Sequence, residues 1–314
     1  MNFFATITDK NYLFKTLTLI ESLKENIFIL CQDIESFNFL NNQKFSKKKI
    51  FAVQLNELKK ITKLKNKSFN RTHREFTCSL KPFFLNHIIN LKKNIKKIII
   101  VDSDVFFFNK NSNDIFQYLK NDITLSLHNF SEQNKHKIKF GIFNAGIVGF
   151  RNNANGKKFI QWWENKCFND CPEKVTNLKY LDQKYLDNIP KRYGTIGIFD
   201  FNINLAPWNI EKYNLELKKN TFYVDNKKLL MFHFQNLVYL KKNTFYIALS
   251  EYAVSRDNYI LKKLYIRYLV FLENNLKKTK NIINKKNFFF SFKIHLRALI
   301  FSDSLNLNQL KLIK

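Results

Sequence analysis

The sequence predicts an α/β protein whose last quarter is a helical, basic extension. Three observations carry this. Strand-length apolar runs alternate with segments of helical period as far as about Phe234. One such run, Ile98 to Val101, is broken by Asp102-Ser103-Asp104 and resumes at Val105. After Thr244 the alternation stops and basic helical patterning takes over.

The elements follow in order. Phe3 to Thr8 reads as a first strand, Tyr12 to Leu23 as a helix with Leu13, Leu17, Ile20 and Leu23 on one face, and Ile27 to Cys31 as a second strand. Ser79 to Leu91 reads as a helix with Pro82 in its first turn, where a missing N–H costs nothing. It feeds the Ile98 strand. Phe143 to Phe150 is a further strand, Lys157 to Cys167 a helix, and Leu229 to Phe234 a last apolar strand. In the extension, Leu261, Leu264, Tyr265, Tyr268, Leu269, Leu272 and Leu276 form one helical stripe. No internal repeat or Pro/Gly-rich linker interrupts the chain. The expected division is an α/β domain over residues 1–244 and a helical, basic extension over 245–314.

Composition narrows the class. With 314 residues, 45% hydrophobic and 34 Phe, the chain can bury a large core and is not disordered. No apolar run reaches the ~18 residues that span a bilayer. The opening residues lack a basic region and meet Asp9 early, unlike a signal peptide. A cytoplasmic location is expected. Cys31, Cys78, Cys167 and Cys171 show no metal-finger spacing and read as free thiols. The net charge of +28 suggests nucleic acid or an anionic membrane, but only 7 of the 53 basic residues are Arg. Phosphate and base readout favours the planar Arg fork. Together with heavy Asn, Ile and Phe usage, the 46 Lys look like AT-rich codon usage, so no nucleic-acid partner is expected. The mixed basic and aromatic segment from Lys277 to Phe301 leaves two readings open: packing on the domain, or peripheral contact with an anionic membrane, which would put the protein at its inner cytoplasmic face.

The candidate site starts from Asp102 and Asp104. Carboxylates just past a buried strand point oxygen ligands at the carboxyl edge of a sheet, and oxygen ligands suit Mn²⁺ or Mg²⁺ and hence diphosphates. Solvated turn carboxylates are the bland alternative, but apolar neighbours would force a close pair to find a cation or take up protons. Phe143-Asn-Ala-Gly-Ile147 is a strand opened by small residues, which lets backbone approach a ligand. Asp182 and Gln183 stand at the start of a short helix, and Asn204 to Asn209 forms a polar-aromatic loop. His233 lies inside an apolar strand. A lone His there is usually core, but a carboxylate metal site needs a further ligand that neutral imidazole supplies.

In this order and at these intervals the segments resemble the nucleotide-sugar glycosyltransferases of the GT-A fold, nearest to glycosyltransferase family 8 and related bacterial transferases of surface-polysaccharide clusters. The resemblance runs from about Phe3 to Phe234. It implies a Rossmann-like mixed sheet flanked by helices, and metal-dependent transfer of a sugar from a nucleoside diphosphate to a surface glycan or lipid-linked saccharide. Thr8, Asp9, Asn11 and Tyr12 then hold the nucleotide, and Arg71 and Arg74 face its diphosphate. Asp102, Ser103 and Asp104 match the D-x-D on the metal, with His233 as its third ligand. Asn144, Ala145 and Gly146 line the donor sugar, and Asp182 and Gln183 stand beside the reacting carbon. Family 8 members retain configuration, and Gln183 beside Asp182 favours retention, although Asp182 could be an inverting base. One departure is clear: after His233 the family has a Gly and then a phosphate-binding Lys, whereas here Phe234-Gln-Asn-Leu237 follows and the next lysines are Lys241 and Lys242.

Two other classes and one closer rival, a nucleotidyltransferase, compete. A nucleotide-sugar-binding protein that lost transfer would lack metal ligands, yet all three positions are filled. A nucleic-acid-binding protein would carry a recognition segment, and none is present. A nucleotidyltransferase would place a Gly-rich phosphate loop after the first strand, and Thr6 to Tyr12 contains no Gly.

Overall fold

A computed structural model describes residues 1–43, 50–92, 94–109, 112–241, 243–283, 298 and 303–307. From the N-terminus come strand β1 (Asn2–Thr8), helix α1 (Leu13–Ser22), β2 (Ile27–Cys31), α2 (Ile34–Asn42) and β3 (Ile50–Gln54). Helices α3 (Ile61–Lys67) and α4 (His73–Leu91) lead into β4 (Lys97–Val101) and the short β5 (Val105–Phe107). Then come β6 (Ile123–Leu127), β7 (Phe143–Arg151), α5 (Ala154–Asn169), α6 (Ile189–Tyr193) and β8 (Gly197–Ile198). The remainder holds β9 (Leu215–Lys218), β10 (Thr221–Val224), β11 (Lys227–Lys228), β12 (Met231–His233), β13 (Val238–Lys241), β14 (Thr244–Tyr246), α7 (Tyr259–Thr279) and β15 (Ser304–Asn306).

Seven strands form one mixed sheet in the order β3-β2-β1-β4-β7-β6-β8. β1 runs parallel to β2 and β4, while β7 runs antiparallel to β4 and β6. After building β2 and β3 on one side of β1, the chain crosses to lay β4 on the other. The carboxyl ends of β1 and β4 therefore meet at a topological switch point, where open α/β sheets bind ligands. Both loops that carry the predicted nucleotide and metal residues start there.

Strand alternation divides the core. Phe3, Ala5, Ile98 and Ile100 face one side with α4 and α5, and Phe4, Ile99 and Val101 face the other with α1. Burial on both faces explains why β4 reads as an unbroken apolar run.

Helix α4 departs from the sequence expectation. It starts six residues before Ser79, because Thr72 and Glu75 form a capping box: the Thr72 hydroxyl accepts from Glu75 N and the Glu75 carboxylate from Thr72 N. Pro82 thus lies inside the helix, not in its first turn. Its ring removes the bond to the Cys78 carbonyl, a local cost accepted beside the site built from this helix.

Helix α7 buries the predicted stripe and packs against α1, where Asn275 donates to Thr18 and Glu21 and Lys278 pairs with Glu21 at 2.8 Å. Its Tyr268 stacks on Phe234 with ring centroids 3.8 Å apart, and Tyr265 meets both Phe232 and Phe234 edge-on. The extension thus grips the strand that carries His233. Asp303 returns the chain to this body by accepting from Ser250 N and Oγ, next to the β14–β15 pairing. Phe288 to Phe292, on which the expected membrane contact rests, lie outside the described residues. Among the described residues no helix is long and apolar enough to cross a membrane.

Candidate active site

Asp102, Asp104 and His233 converge, with one ligand atom from each within 4.8 Å of the others. Backbone pairing sets this arrangement. β12 runs antiparallel to β5 with His233 opposite Val105, and Phe234 N donates to the Asp104 carbonyl at 2.9 Å. Asp102 N donates to the Gly146 carbonyl at 3.0 Å, tying the aspartates to β7. The sheet is irregular here: the pairing of β6 with β7 slips between Leu125 and Ser126, opposite the Asn144–Gly146 stretch. Such slips re-aim side chains next to active sites.

A chain of hydrogen bonds fixes the proton on His233. Gly146 N donates to Asn144 at 2.8 Å, so that atom is the amide oxygen. The same oxygen accepts from Asn204 Nδ2 at 3.0 Å, and the other Asn204 atom facing His233 Nδ1 at 3.2 Å is therefore oxygen. An amide oxygen only accepts, so Nδ1 carries the proton and Nε2 presents a lone pair. That buried Nε2 has no hydrogen-bond partner and lies 3.1 Å from Asp104 Oδ1. Two acceptors face each other in a buried space, which calls for a cation between them. The donor set therefore fits a divalent metal, and Asn204 acts through His233 in the manner of a hydrogen-bonded metal ligand. Burial raises the Asp104 carboxyl, while the Lys15 ammonium beyond it favours the ionised form.

Asn204 adopts a left-handed backbone, φ 66°. Asn tolerates this region better than other side chains. Asn144 is braced from its other end as well: Nδ2 donates to His128 Nε2 at 3.1 Å, and His128 Nδ1 donates to the Gly141 carbonyl at 2.9 Å. Burial pushes His128 down to about 3, so it stays neutral as this network requires.

Gly146 has a steric reason. A Cβ there would come within 2.6 Å of His233 Nδ1 and Cε1 and 2.5 Å of Asn144 Oδ1. Gly146→Ala is expected to tilt the imidazole and weaken Mn²⁺ binding at least ~10-fold, the size of effect found when the support of a metal ligand is lost. Metal titration of the folded variant checks this, and wild-type affinity would dissociate Gly146 from His233.

A second buried cluster adjoins the first. Lys81, from α4, lies 2.8 Å from Asp102 Oδ1 and 3.2 Å from Asp182 Oδ2, and donates to the Ala145 carbonyl at 3.0 Å. Burial opposes its charge, but Asp102 and Asp182 more than offset it and hold Lys81 above the ordinary lysine range. Burial raises the Asp182 carboxyl in spite of Lys81. Gln183 caps a short 3₁₀ segment and is itself fixed, donating to the Phe140 carbonyl at 3.0 Å and accepting from Asn144 Nδ2 at 3.4 Å. The predicted residues of β7, the aspartates and the Asp182–Gln183 pair thus meet in one place.

The nucleotide loop adjoins them. Asp9 Oδ1 accepts from Asn11 N and Tyr12 N at 2.9 and 2.8 Å, and Oδ2 pairs with His73 Nε2 at 2.9 Å. Asp9 shapes the loop and joins it to the start of α4. The hydrogen bond with Asp9 raises His73, giving this rim a basic group. Thr8 is buried and accepts from the Thr16 hydroxyl, while Tyr12 leaves 43% of its surface exposed and Ser103 is buried beside the aspartates.

The two arginines have different tasks. Arg71 donates to the Cys167 and Phe168 carbonyls at 2.9 and 3.0 Å, so it closes the end of α5 rather than reaching out from it. Arg74 touches the Tyr180 hydroxyl and Glu173, each at 3.4 Å, and keeps an exposed guanidinium. Arg74→Ala is expected to weaken nucleotide-sugar binding by about 1–3 kcal/mol, while Arg71→Ala lowers stability instead. Calorimetric titration beside thermal melting separates the two, and equal losses of donor affinity would return Arg71 to the site.

Sequence reasoning missed Lys81 and His128, and placed Asn204 in a polar-aromatic loop without its role beside His233. A signal existed for Lys81: a single cation inside Ser79-Leu-Lys-Pro-Phe-Phe-Leu85 has to be solvated by something within the core. Two surface cavities lie elsewhere, one around Asp122, Trp162 and Arg192 and one around Tyr118, Phe201 and Tyr213. Neither is lined by Asp102, Asp104, Asp182 or His233.

Comparison with known proteins decides the family. Residues 22–239 match the model of the nucleotide-diphospho-sugar transferases. The chain belongs to that family. Among curated relatives of this transferase, YfnD of Bacillus subtilis (strain 168), itself uncharacterised, is 28% identical over 288 residues, which cover 88% of each chain. The uncharacterised YfnF of the same organism is 24% identical over 245 residues, 74% of this chain and 80% of its own. The solved galactosyltransferase LgtC, in complex with donor and acceptor sugar analogs, superimposes with a TM-score of 0.54 at 12% identity. That likeness covers 89% of this chain and 100% of LgtC. The transferase thus has the GT-A fold, a mixed sheet flanked by helices, as its resemblance implied. Family membership supports sugar transfer from a nucleotide donor.

Proposed function

We propose that this chain is a metal-dependent glycosyltransferase that moves a sugar from a nucleoside-diphosphate sugar to a glycan or lipid-linked saccharide with retention of configuration. The observation that carries the reading is the meeting of the bare His233 Nε2 with Asp104 Oδ1 beside Asp102. Asp102, Asp104 and His233 would hold the cation; the carboxylates suit Mn²⁺ or Mg²⁺, and the imidazole favours Mn²⁺, since Mg²⁺ keeps to oxygen ligands. When bound, the cation supplies Lewis-acid stabilisation to the departing diphosphate.

The chain's own residues do the rest. Asp9 orders the loop beneath the nucleotide, Tyr12 offers an exposed ring to the base, and Arg74 offers donors to the phosphates. Asn144, Ala145 and Gly146 shape the wall beside the donor sugar, with Asn144 fixed at both ends of its amide. Retention is supported by the state of Asp182. An inverting base must receive a proton from the acceptor, whereas this carboxylate is buried and held 3.2 Å from the Lys81 ammonium. Gln183 stands beside it as a neutral group that can hold an oxygen without taking its proton.

The test is to melt the protein with a panel of nucleotide sugars, with Mn²⁺ and again with excess chelator. A true donor raises the melting temperature by mass action, only with metal present. Incubation of that donor with glycan and lipid-linked acceptors then identifies the product, and its anomeric configuration by NMR settles retention. Stabilisation by no nucleotide sugar would overturn the reading.

A further inference from the structure

Helix α1 carries a lysine where its neighbours demand an apolar residue. Lys15 follows Leu13 and Phe14, all three are buried, and Lys15 keeps only 6% of its surface. An ammonium has three donors. This one makes a single hydrogen bond, to the Leu237 carbonyl at 3.0 Å, and lies 4.8 Å over the Tyr12 ring. Among the described residues no carboxylate is within ion-pair distance of it, although it feels the charge of Asp104. Burial lowers its pKa, the mark of a cation whose surroundings do not compensate it. A buried charge without a counter-ion is costly unless an anion arrives.

Its position says which anion. Lys15 lies between Tyr12 of the nucleotide loop and Leu237 of the loop after His233, on the side of Asp104. That second loop, Phe234-Gln-Asn-Leu237, carries no cation of its own. Charge makes the gap matter. A divalent ion on two carboxylates is already neutralised, so the extra negative charge of a departing nucleoside diphosphate needs cations from the protein.

We propose that Lys15 is the cation that receives the diphosphate, supplied from the first helix to a loop after His233 that carries none. The proposal rests on the transferase reading above. Its hydrogen bond to the Leu237 carbonyl ties the helix to the loop that follows His233. The site would thus be completed when the diphosphate gives the ammonium its missing acceptors.

Lys15→Met separates this role from a merely structural one. Wild type and variant are titrated by calorimetry with the common nucleoside diphosphates and the matching monophosphates, in Mn²⁺, and melted without ligand. The expected result is at least a ten-fold weaker diphosphate affinity and a smaller loss for the monophosphate. The unliganded melting temperature should be unchanged or higher, because the variant loses an uncompensated buried charge. Unchanged diphosphate affinity overturns the proposal alone. So does a lowered melting temperature with equal losses for both nucleotides, which would make Lys15 a tether for the loop. If wild type takes up no diphosphate with Mn²⁺, the transferase reading falls and this inference with it.

Discussion

Asp104→Ala should abolish sugar transfer while leaving a folded protein that melts near the wild-type temperature. Three features combine in this expectation. Asp104 supplies one of the two carboxylates of the site, and its Oδ1 is the oxygen that faces the unpartnered His233 Nε2. Its carboxylate is also felt by the buried Lys15 ammonium, which favours the ionised form. Its backbone bond to Phe234 survives the substitution, so β5 and β12 stay paired. Loss of the Lewis acid removes several kcal/mol of stabilisation from the departing diphosphate, which corresponds to a rate loss of about a thousand-fold or more. The folded state itself loses one acidic group next to a bare imidazole nitrogen, a contact that gives it little without a cation. Differential scanning fluorimetry checks both halves. Wild type should gain melting temperature with Mn²⁺ and lose the gain with chelator, and the variant should show neither change. Full turnover by a chelator-stripped wild type would sink the metal role of the whole triad.

How far the site could be read beforehand depended on what each residue contacts. Asp102, Asp104 and His233 were legible because a polar group inside an apolar run has few structural excuses. The N-A-G strand was legible as a place of small side chains, although not as the network it is. Asn144 braces itself on Gly146, Ala145 lends its carbonyl to Lys81, and Gly146 leaves room for the His233 ring. Those are contacts between segments far apart in sequence, and no local pattern announces them. Arg71 shows the opposite limit. A cluster of cations before a helix suggests an anion, but tertiary packing gave this guanidinium the open carbonyls at the end of α5. The start of α4 was misplaced because Pro82 was read as a first-turn residue, whereas the Thr72–Glu75 capping box set the boundary ten residues before it. Strands β4 and β7 were each legible as apolar runs, though not their antiparallel pairing, while short edge pieces such as β8 have too few residues to show a period. The helical stripe of α7 was clear, yet nothing in its sequence said that Tyr268 would stack on Phe234, the neighbour of His233.

Lys81→Met should destabilise the protein by about 3–5 kcal/mol at pH 8, the usual cost of removing one partner from a buried ion pair. Lys81 serves two carboxylates, and Asp182 is the more exposed to its loss, because its side chain is only 4% accessible against 32% for Asp102. Burial already raises Asp182, and Lys81 is the main influence that lowers it, so the substitution drives the carboxyl higher still. The sign of the pH dependence follows. An acid whose folded pKa exceeds its unfolded value is penalised fully above the folded pKa and not at all below the unfolded one. The deficit of Lys81→Met relative to wild type should therefore shrink as pH falls from 8 towards 5, when Asp182 takes up a proton and becomes neutral. Adding Asp182→Asn should recover much of the loss at pH 8 and little at pH 5, since the amide has no charge to strand. Urea denaturation of the four proteins at both pH values closes the cycle, and the coupling energy isolates the pair from the bond to Ala145. A deficit equal at pH 5 and pH 8, or no rescue by Asp182→Asn, would mean that Lys81 acts through the Ala145 carbonyl and Asp102 instead.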